Sequence, residues 1–388
     1  MRTKWLALSL AWVFAVTLAG CGSSQSSGDA DVIRIGQAVA LTGDSSMWGQ
    51  AEKNALEMEV EKINAKGGVL GKKLKLIAYD TRADATEAVN VTKRLLGEGV
   101  VGIIGPGQSG VAIAMSSVTE PGKVPLIATT ATNPKVTMDD KTSKVRKYSF
   151  RTCFIDPFQG TVAAQFAAKE LKARTAAVIY DVGSDYSAWL GKYFIAEFER
   201  QGLKVVANEA FRSGELDFRA ILGKVKEAGP DVLFIPTMQK EAALVMKQSA
   251  DLGIKARFLG GDGWGSPDLI TLGGSAVEGA YFVNLASLDD PDIQNFIKDY
   301  KEKYHQDPIL PNPVMAIDGL YALIDAITRA NSTDPVKIAE QLEKTKDLPV
   351  LSGKLTIDPV THDPLNKPAV IQEVKDGKFI FKAKFVTQ

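Results

Sequence analysis

The sequence is poor in the residues that most catalytic and metal sites use. Its 388 residues include only two histidines, His305 and His362, and two cysteines, Cys21 and Cys153. A Cys/His metal site, and most catalysis with histidine as the base, therefore have little to draw on. An excess of either charge is missing too, because 46 Lys and Arg balance 46 Asp and Glu. This neutrality argues against the basic surface that nucleic-acid binding requires.

The chain is longer than one compact core usually serves. Its residues are 45% hydrophobic and 24% charged, which is ordinary for a globular protein. Chains beyond about 250–300 residues generally divide into domains. The length therefore predicts two folded domains, and the composition argues against wholesale disorder.

The N-terminus has the pattern of a secretory signal peptide. Two basic residues precede an apolar run, Trp5–Leu18, which is shorter than the ~20 residues of a membrane-spanning helix. The sequence Leu-Ala-Gly-Cys at residues 18–21 resembles the bacterial lipobox. That resemblance implies cleavage before Cys21 and acylation of its thiol, so residues 1–20 are expected to be a signal peptide.

The segment after the lipobox is a predicted flexible tether. Residues 21–31 begin with Cys21 and continue as GSSQSSGDAD, a Ser/Gly-rich stretch that cannot build a core. With a lipid on Cys21, the tether would hold the folded body on the periplasmic or cell-surface side of a membrane. The alternative is a plain signal peptide followed by an incidental cysteine.

From Val32 onward, short β-rich runs alternate with helical patterns. This order is typical of parallel sheets covered by helices, and it occurs twice at similar spacing. The predicted strands are 32–40, 74–79, 100–105 and 124–130 in the first half, and 176–181, 203–210, 232–236 and 257–260 in the second. The expected fold class is α/β, with two similar doubly wound parallel-sheet lobes.

The chain is expected to cross between the lobes more than once. Tyr148–Ile155 links the two halves, and Gly279–Leu285 has the pattern of a returning strand. Several connecting strands would form a multi-strand hinge, about which the lobes can close on a ligand. The predicted domains are residues 32–151 with 283–350 as lobe 1, and residues 154–281 with 353–388 as lobe 2.

A glycine-rich turn in the first half has the spacing of a dinucleotide-binding motif. Gly105–Gly110 reads G-x-G-x-x-G between a predicted strand and a predicted helix. The next strand ends without the acidic residue that would bind a ribose, which argues against an NAD-dependent enzyme. Free N–H groups at the helix start still suit an anion. With Ser109, Thr130 and Thr132 they predict a site for a small carboxylate, unless Ser109 is only a helix N-cap.

The corresponding strand end of the second half carries one acid among glycines. Asp262 lies in the sequence Gly-Gly-Asp-Gly-Trp-Gly at residues 260–265. An Asp in such a turn is often there for the turn alone. Opposite an anion site, however, its carboxylate would pair with an ammonium group. A free amino acid would then bridge the two lobes and favour their closure.

The residue patterns of common enzymes are missing. Ser109 lacks the G-x-S-x-G nucleophile pattern because Val111 replaces the second glycine, and no histidine is an obvious base. H-E-x-x-H and paired C-x-x-C sequences do not occur. We therefore expect no enzymatic activity, no cofactor and no bound metal.

Two aromatic residues occupy matching loops of the two halves. Trp48 lies in a polar loop just before a helix, and Tyr186 lies in the equivalent loop of the second half. The position of Trp48 is compatible with an interface or lid, or with core packing.

The landmark sequences resemble the Leu/Ile/Val-binding family, the substrate-binding proteins of branched-chain amino acid ABC transporters. The resemblance covers nearly all of the chain after the tether and implies the type I periplasmic binding fold and delivery of ligand to an ABC permease. The landmarks are IRIGQAVALTGDSSMWG, INAKGGVLGKKLKLIAYDTRADATEAV, IIGPGQSG, ATNP, FRTCFIDPFQG and FLGGDGWGSPDL.

The resemblance also implies a set of ligand-binding residues. Asp262 falls where the family has an acid for the ammonium, although it is one methylene shorter than the usual Glu. Met238 lies in the segment that corresponds to the family's Tyr- and Gly-rich side-chain pocket. The implied carboxylate and amine ligands are Ser109, Thr130 and Thr132, and the implied aromatic residues that close over the ligand are Trp48 and Tyr186.

Together these features predict a lipid-anchored, monomeric solute-binding protein that captures an amino acid, branched-chain or similar. Its expected partners are the small-molecule ligand, the permease subunits and the membrane, with no nucleic acid. The alternatives are a protein that binds another small carboxylate or an amide, for example an aromatic acid, and a ligand sensor for a signalling partner.

Overall fold

The computed structural model describes residues 32–386 and shows two α/β lobes. The predicted signal peptide (residues 1–20) and tether (residues 21–31, with Cys21) lie outside the described residues. Within the described part of the chain, no helix combines the length and apolarity needed to cross a membrane. The predicted fold class is confirmed, because each lobe contains a mainly parallel sheet with helices packed against it.

Lobe 1 is built on five parallel strands. They are β1 (Val32–Val39), β2 (Lys73–Asp80), β3 (Ile103–Ile104), β4 (Leu126–Ala128) and β5 (Ser149–Arg151), in the sheet order β2-β1-β3-β4-β5. The helices of this lobe are α1 (Ser46–Ala65), α2 (Ala85–Gly97), α3 (Ser109–Gly122), α9 (Gln294–Tyr304), α10 (Pro313–Ala330) and α11 (Pro335–Leu342).

Lobe 2 is built on a seven-stranded sheet. Its strands are β6 (Thr175–Asp181), β7 (Lys204–Phe211), β8 (Val232–Ile235), β9 (Arg257–Gly260), β10 (Tyr281–Asn284), β14 (Pro368–Lys375) and β15 (Lys378–Val386). Their order is β15-β14-β10-β9-β8-β6-β7. β14 runs antiparallel to both of its neighbours, β10 and β15, so all the other strands, including β15, run in one direction. The helices are α4 (Asp156–Lys169), α5 (Asp185–Arg200), α6 (Arg219–Ala228), α7 (Gln239–Asp251) and α8 (Asp268–Gly273).

Local sequence explains why these elements form. All four residues of β8 are apolar and buried, as expected for a central strand covered on both faces. Asp84 caps α2 by accepting a hydrogen bond from a first-turn N–H at 2.7 Å. The buried residues of that helix, Ala88, Val91 and Leu95, recur at helical spacing and turn one face to the core.

The chain crosses between the lobes at places that differ from two of the predicted boundaries. β10 pairs with lobe 2 strands as far as Asn284, so the return to lobe 1 comes after residue 283. A small antiparallel sheet, β11 (Leu348–Val350), β12 (Gly353–Ile357) and β13 (Pro364–Leu365), precedes the final crossing. Leu355 and Ile357 pack in the lobe 1 core, so residues 353–365 belong to lobe 1 and not to lobe 2. Hydrophobicity predicts that such strands are buried, but it does not indicate in which core.

Buried polar contacts anchor the crossing segments to α10. Thr152, which follows β5, donates its hydroxyl to the carbonyl of Met315 at 2.8 Å. Lys367, which precedes β14, donates to a carboxylate oxygen of Asp318 at 2.7 Å and to the hydroxyl of Ser352. Because Lys367 and Asp318 are both buried, removing either partner leaves the other charge desolvated and unpaired.

We expect Lys367→Ala to lower the free energy of unfolding by roughly 3–5 kcal/mol, the usual cost of leaving a buried charge unpaired. Urea denaturation of the purified protein measures it. Lys298→Ala is the matched control, since its ion pair with Glu302 is exposed and should contribute less than about 1 kcal/mol. Equal losses of unfolding free energy in the two variants would contradict the conclusion that the buried Lys367–Asp318 pair stabilises the fold.

Candidate ligand-binding site

A cleft of about 450 Å³ lies between the lobes, at the carboxyl ends of their parallel strands. This is where open α/β sheets bind ligands. Six of the seven residues predicted for ligand binding line it: Trp48, Ser109 and Thr130 from lobe 1, and Tyr186, Met238 and Asp262 from lobe 2. The seventh, Thr132, is fully buried and is not among the lining residues, and its carbonyl accepts a hydrogen bond from the N–H of Asp156.

The lobe 1 side of the cleft is built for an anion. Ser109 is the first residue of α3, whose first-turn N–H groups have no intrahelical partner. The hydroxyl of Thr130 donates to the carbonyl of Gly107 at 3.3 Å. A Cβ on Gly107 would lie 2.5 Å from that hydroxyl oxygen, so only glycine permits this approach. Hydroxyl and N–H groups therefore line the same side of the cleft, where they can donate hydrogen bonds to a carboxylate.

The lobe 2 side presents a carboxylate. Asp262 follows β9 and accepts a hydrogen bond from the side-chain amide of Gln159 at 2.7 Å. Gly263 donates its N–H to the hydroxyl oxygen of Tyr186 at 3.2 Å. Gly261 permits this packing, since a Cβ there would lie 2.5 Å from the same oxygen. The sequence left open that Asp262 serves only to form the turn. In the structure, this turn places the acid in the lining of the cleft.

Asp262 is buried, and the described part of the chain places no cation against it. Burial raises the pKa of its carboxyl to about 6, against hydrogen bonds from Gln159 and Tyr186 that favour the ionised form. Among residues 32–386, no lysine, arginine or histidine forms an ion pair with it. An ionised carboxylate in this position is stabilised by a positively charged ligand group.

Sequence reasoning missed Glu52, a second buried acid that lines the cleft. Glu52 projects from α1 and is 2% exposed. Its carboxylate accepts hydrogen bonds from the hydroxyl of Thr129 at 3.1 Å and from the amide of Asn312 at 2.9 Å. Burial raises its pKa to about 7. The available signal was a charged residue at a helical spacing of three from the buried Gly49 and Ala55.

The two aromatic residues occupy equivalent positions. Trp48 is the third residue of α1 and Tyr186 the second of α5, and both are more than 90% buried while lining the cleft. The carbonyl of Trp48 accepts a hydrogen bond from Asn312 at 3.1 Å. Met238 directly precedes α7 and adds a flexible apolar surface to the cleft.

The lobes touch each other around the cleft. Lys240 of lobe 2 forms an ion pair with Asp44 of lobe 1 at 2.6 Å. The side-chain amide of Asn133 in lobe 1 donates to the carbonyl of Asp185 in lobe 2 at 2.8 Å. The structure is therefore that of a closed arrangement, in which one ligand would contact both lobes at once.

A family model described as periplasmic binding protein matches residues 32–378. The chain belongs to the periplasmic binding protein family. The match spans both lobes and the segments that join them, so it covers every residue of the cleft.

This periplasmic binding protein is similar to proteins that are named for branched-chain amino acids. It is 31% identical to the leucine-, isoleucine-, valine-, threonine-, and alanine-binding protein of Pseudomonas aeruginosa, over 84% of this chain and 86% of that one. A leucine-binding protein from Thermotoga maritima is 36% identical with a TM-score of 0.84, covering 91% and 98% of the two chains.

A second solved structure extends this likeness. The branched-chain amino acid transporter substrate-binding protein of Streptococcus pneumoniae, in complex with isoleucine, is 27% identical with a TM-score of 0.82, covering 92% and 99% of the chains. The predicted resemblance to the Leu/Ile/Val-binding family and its type I fold is thereby confirmed. All three relatives are named as binding proteins and none as an enzyme.

The raised pKa of Asp262 predicts a stability cost in this periplasmic binding protein when no ligand is bound. Because the folded-state pKa of about 6 exceeds the ordinary 3.8, the folded state holds the proton more tightly. The resulting stability is present at low pH and is lost as pH rises towards about 6. We therefore expect Asp262→Asn to raise the unfolding free energy of the ligand-free protein at pH 8 by about 1–3 kcal/mol.

Urea denaturation of the native protein and of Asp262→Asn between pH 4 and pH 8 measures how much Asp262 changes the unfolding free energy at each pH. The control is Asp251→Asn, which removes an exposed acid and should leave the pH profile unchanged. A variant no more stable than the native protein at pH 8 would show that burial does not penalise this carboxylate.

Proposed function

We propose that this protein captures a free amino acid between its lobes and delivers it to a membrane ABC permease. One observation carries the proposal. Asp262, a buried acid that has no cationic partner among residues 32–386, and the hydroxyl and N–H groups at Ser109 and Thr130 line the same cleft from opposite lobes.

The two sides match the two ends of a zwitterion. An α-ammonium group would pair with Asp262, while the α-carboxylate would accept hydrogen bonds from the hydroxyl of Ser109 and from the first-turn N–H groups of α3. The hydroxyl of Thr130 would donate to it after giving up its bond to the carbonyl of Gly107. Because the two sides lie on different lobes, only the closed arrangement makes both sets of contacts. Binding would therefore favour closure, and no covalent step is involved.

The relatives support an amino acid as the ligand. Their names specify leucine, isoleucine, valine, threonine and alanine, and one structure contains isoleucine. The ligand of this chain is proposed at the level of the α-amino acid, since the groups just described contact only its ammonium and carboxylate.

The proposal includes attachment to a membrane. The lipobox-like sequence before Cys21 and the Ser/Gly-rich residues 22–31 support a lipidated N-terminus outside the cytoplasm. A single acyl chain holds a protein only weakly, so lipidation of Cys21 would need more than one chain. Anchored in this way, a monomer could collect ligand and present it to the permease.

Calorimetry with ligand-free protein tests the binding function. The protein is unfolded and refolded to release ligand carried through purification, and then titrated with amino acids and with the hydroxy acids that lack the amine. We expect Asp262→Ala to lower amino-acid affinity by roughly 30-fold to several thousand-fold, because losing one partner of a buried pair costs ~2–5 kcal/mol.

The matched control is Asp268→Ala, which removes an acid that lies six residues further along and outside the cleft lining. Its affinity should equal that of the native protein. Unchanged affinity in Asp262→Ala, or equal binding of the hydroxy acids, would remove Asp262 from ammonium recognition.

Cys21→Ala tests the anchor. We expect the variant to move from the membrane fraction to the soluble fraction, because no thiol remains for acylation. Fractionation followed by a carbonate wash measures this. Cys153→Ala is the control and should stay with the membrane, since Cys153 is buried inside the fold. Retention of Cys21→Ala in washed membranes would refute lipid anchoring at this residue.

A further inference from the structure

The cleft lining contains several acidic side chains besides Asp262, the acid proposed to bind the ligand's ammonium group. Its only basic side chain among the described residues, Lys240, already pairs with Asp44 at 2.6 Å. The acids of the lining are Asp44, Glu52, Asp181, Asp185, Glu241 and Asp262. A zwitterion with an aliphatic side chain uses only one of them.

Two of these acids line the lobe 2 side of the cleft in addition to Asp262. Asp181 ends β6, is 7% exposed, and accepts hydrogen bonds from the N–H of Gly183 at 2.8 Å and of Ser213 at 3.1 Å. Glu241 lies in the first turn of α7, where burial raises its pKa; the charge of Lys240 opposes this rise, and the Asp181 carboxylate adds to it by a smaller amount. Both residues line the cleft and carry like charge, so a hydrogen-bond donor or a cation of the ligand that contacts them would be stabilised.

Two residues that line the same cleft carry polar atoms without a partner, which independently indicates a polar ligand. Gln239 is 3% exposed, and its side-chain oxygen has no hydrogen-bond partner among residues 32–386. Trp48 is 8% exposed, and within the same described residues its indole N–H is also without a partner. Leaving a buried polar group unsatisfied costs about 1–3 kcal/mol. A branched aliphatic side chain offers neither atom a hydrogen bond.

We infer that the ligand is an amino acid whose side chain ends in N–H donors, as an amide or a cation, received by Gln239, Glu241 and Asp181. The inference rests on the proposed function and specifies its substrate class. An amide would in addition accept a hydrogen bond from the indole of Trp48, whereas a cation would draw more on the two carboxylates.

Competition calorimetry on the refolded, ligand-free protein tests the inference with L-leucine, L-glutamine and L-lysine. We expect glutamine or lysine to bind roughly tenfold or more tightly than leucine, because leucine leaves the polar groups unpaired. Glutamine as the tighter of the two identifies an amide site, and lysine a cationic one. Leucine binding as tightly as both, or more tightly, would overturn the inference while leaving the proposed function intact.

Two variants locate the recognition. Glu241→Gln should lower the affinity for lysine relative to leucine, and Gln239→Leu should lower the affinity for glutamine relative to leucine, each by roughly tenfold. Asp262→Asn is the control, since it should weaken all three ligands alike. If neither Glu241→Gln nor Gln239→Leu changes the affinity for lysine or glutamine relative to leucine, the inference is overturned. Absence of binding by every amino acid would refute the proposed function and this inference with it.

Discussion

The cleft depends on one electrostatic constraint, a carboxylate buried at Asp262 with no cation of its own within residues 32–386. A fold selected for stability alone would place an apolar side chain or a paired charge there. Keeping the acid costs stability while the cleft is empty, and in the proposed function an incoming ammonium would offset that cost. The same energy that penalises the empty protein would then contribute to ligand affinity.

Closure follows from how the fold distributes the two halves of the site. The hydroxyl and N–H groups belong to lobe 1 and Asp262 belongs to lobe 2, so neither lobe completes the site alone. The crossing segments, anchored to α10 by Thr152 and Lys367, keep the lobes in register. Contacts at the cleft edge, such as Asp44 with Lys240, form only when the lobes meet. Since that ion pair is largely exposed, it adds little energy, and the ligand would supply the rest.

The cleft residues could be predicted where local chemistry was unusual. A glycine-rich turn before a helix and an acid among glycines are visible in the chain, and both reach the cleft. Glu52 was not predicted because its position within a helix resembles that of an ordinary surface acid. Its hydrogen bonds to Thr129 and Asn312 join residues 77 and 260 positions away, a relation that no local pattern contains.

The sequence by itself determined the alternation of strands and helices, the two-lobed α/β class and the strand ends that carry polar groups, because periodicity, glycine placement and helix starts are local properties. Only the tertiary structure decided which core receives β10 and β12, that Thr132 lies beneath the cleft surface, and that Asp181, Gln239 and Glu241 share the cleft with Asp262. These outcomes depend on how separate segments pack. Burial, and with it the pKa of Asp262 and of Glu52, is a property of that packing and not of neighbouring residues in the chain.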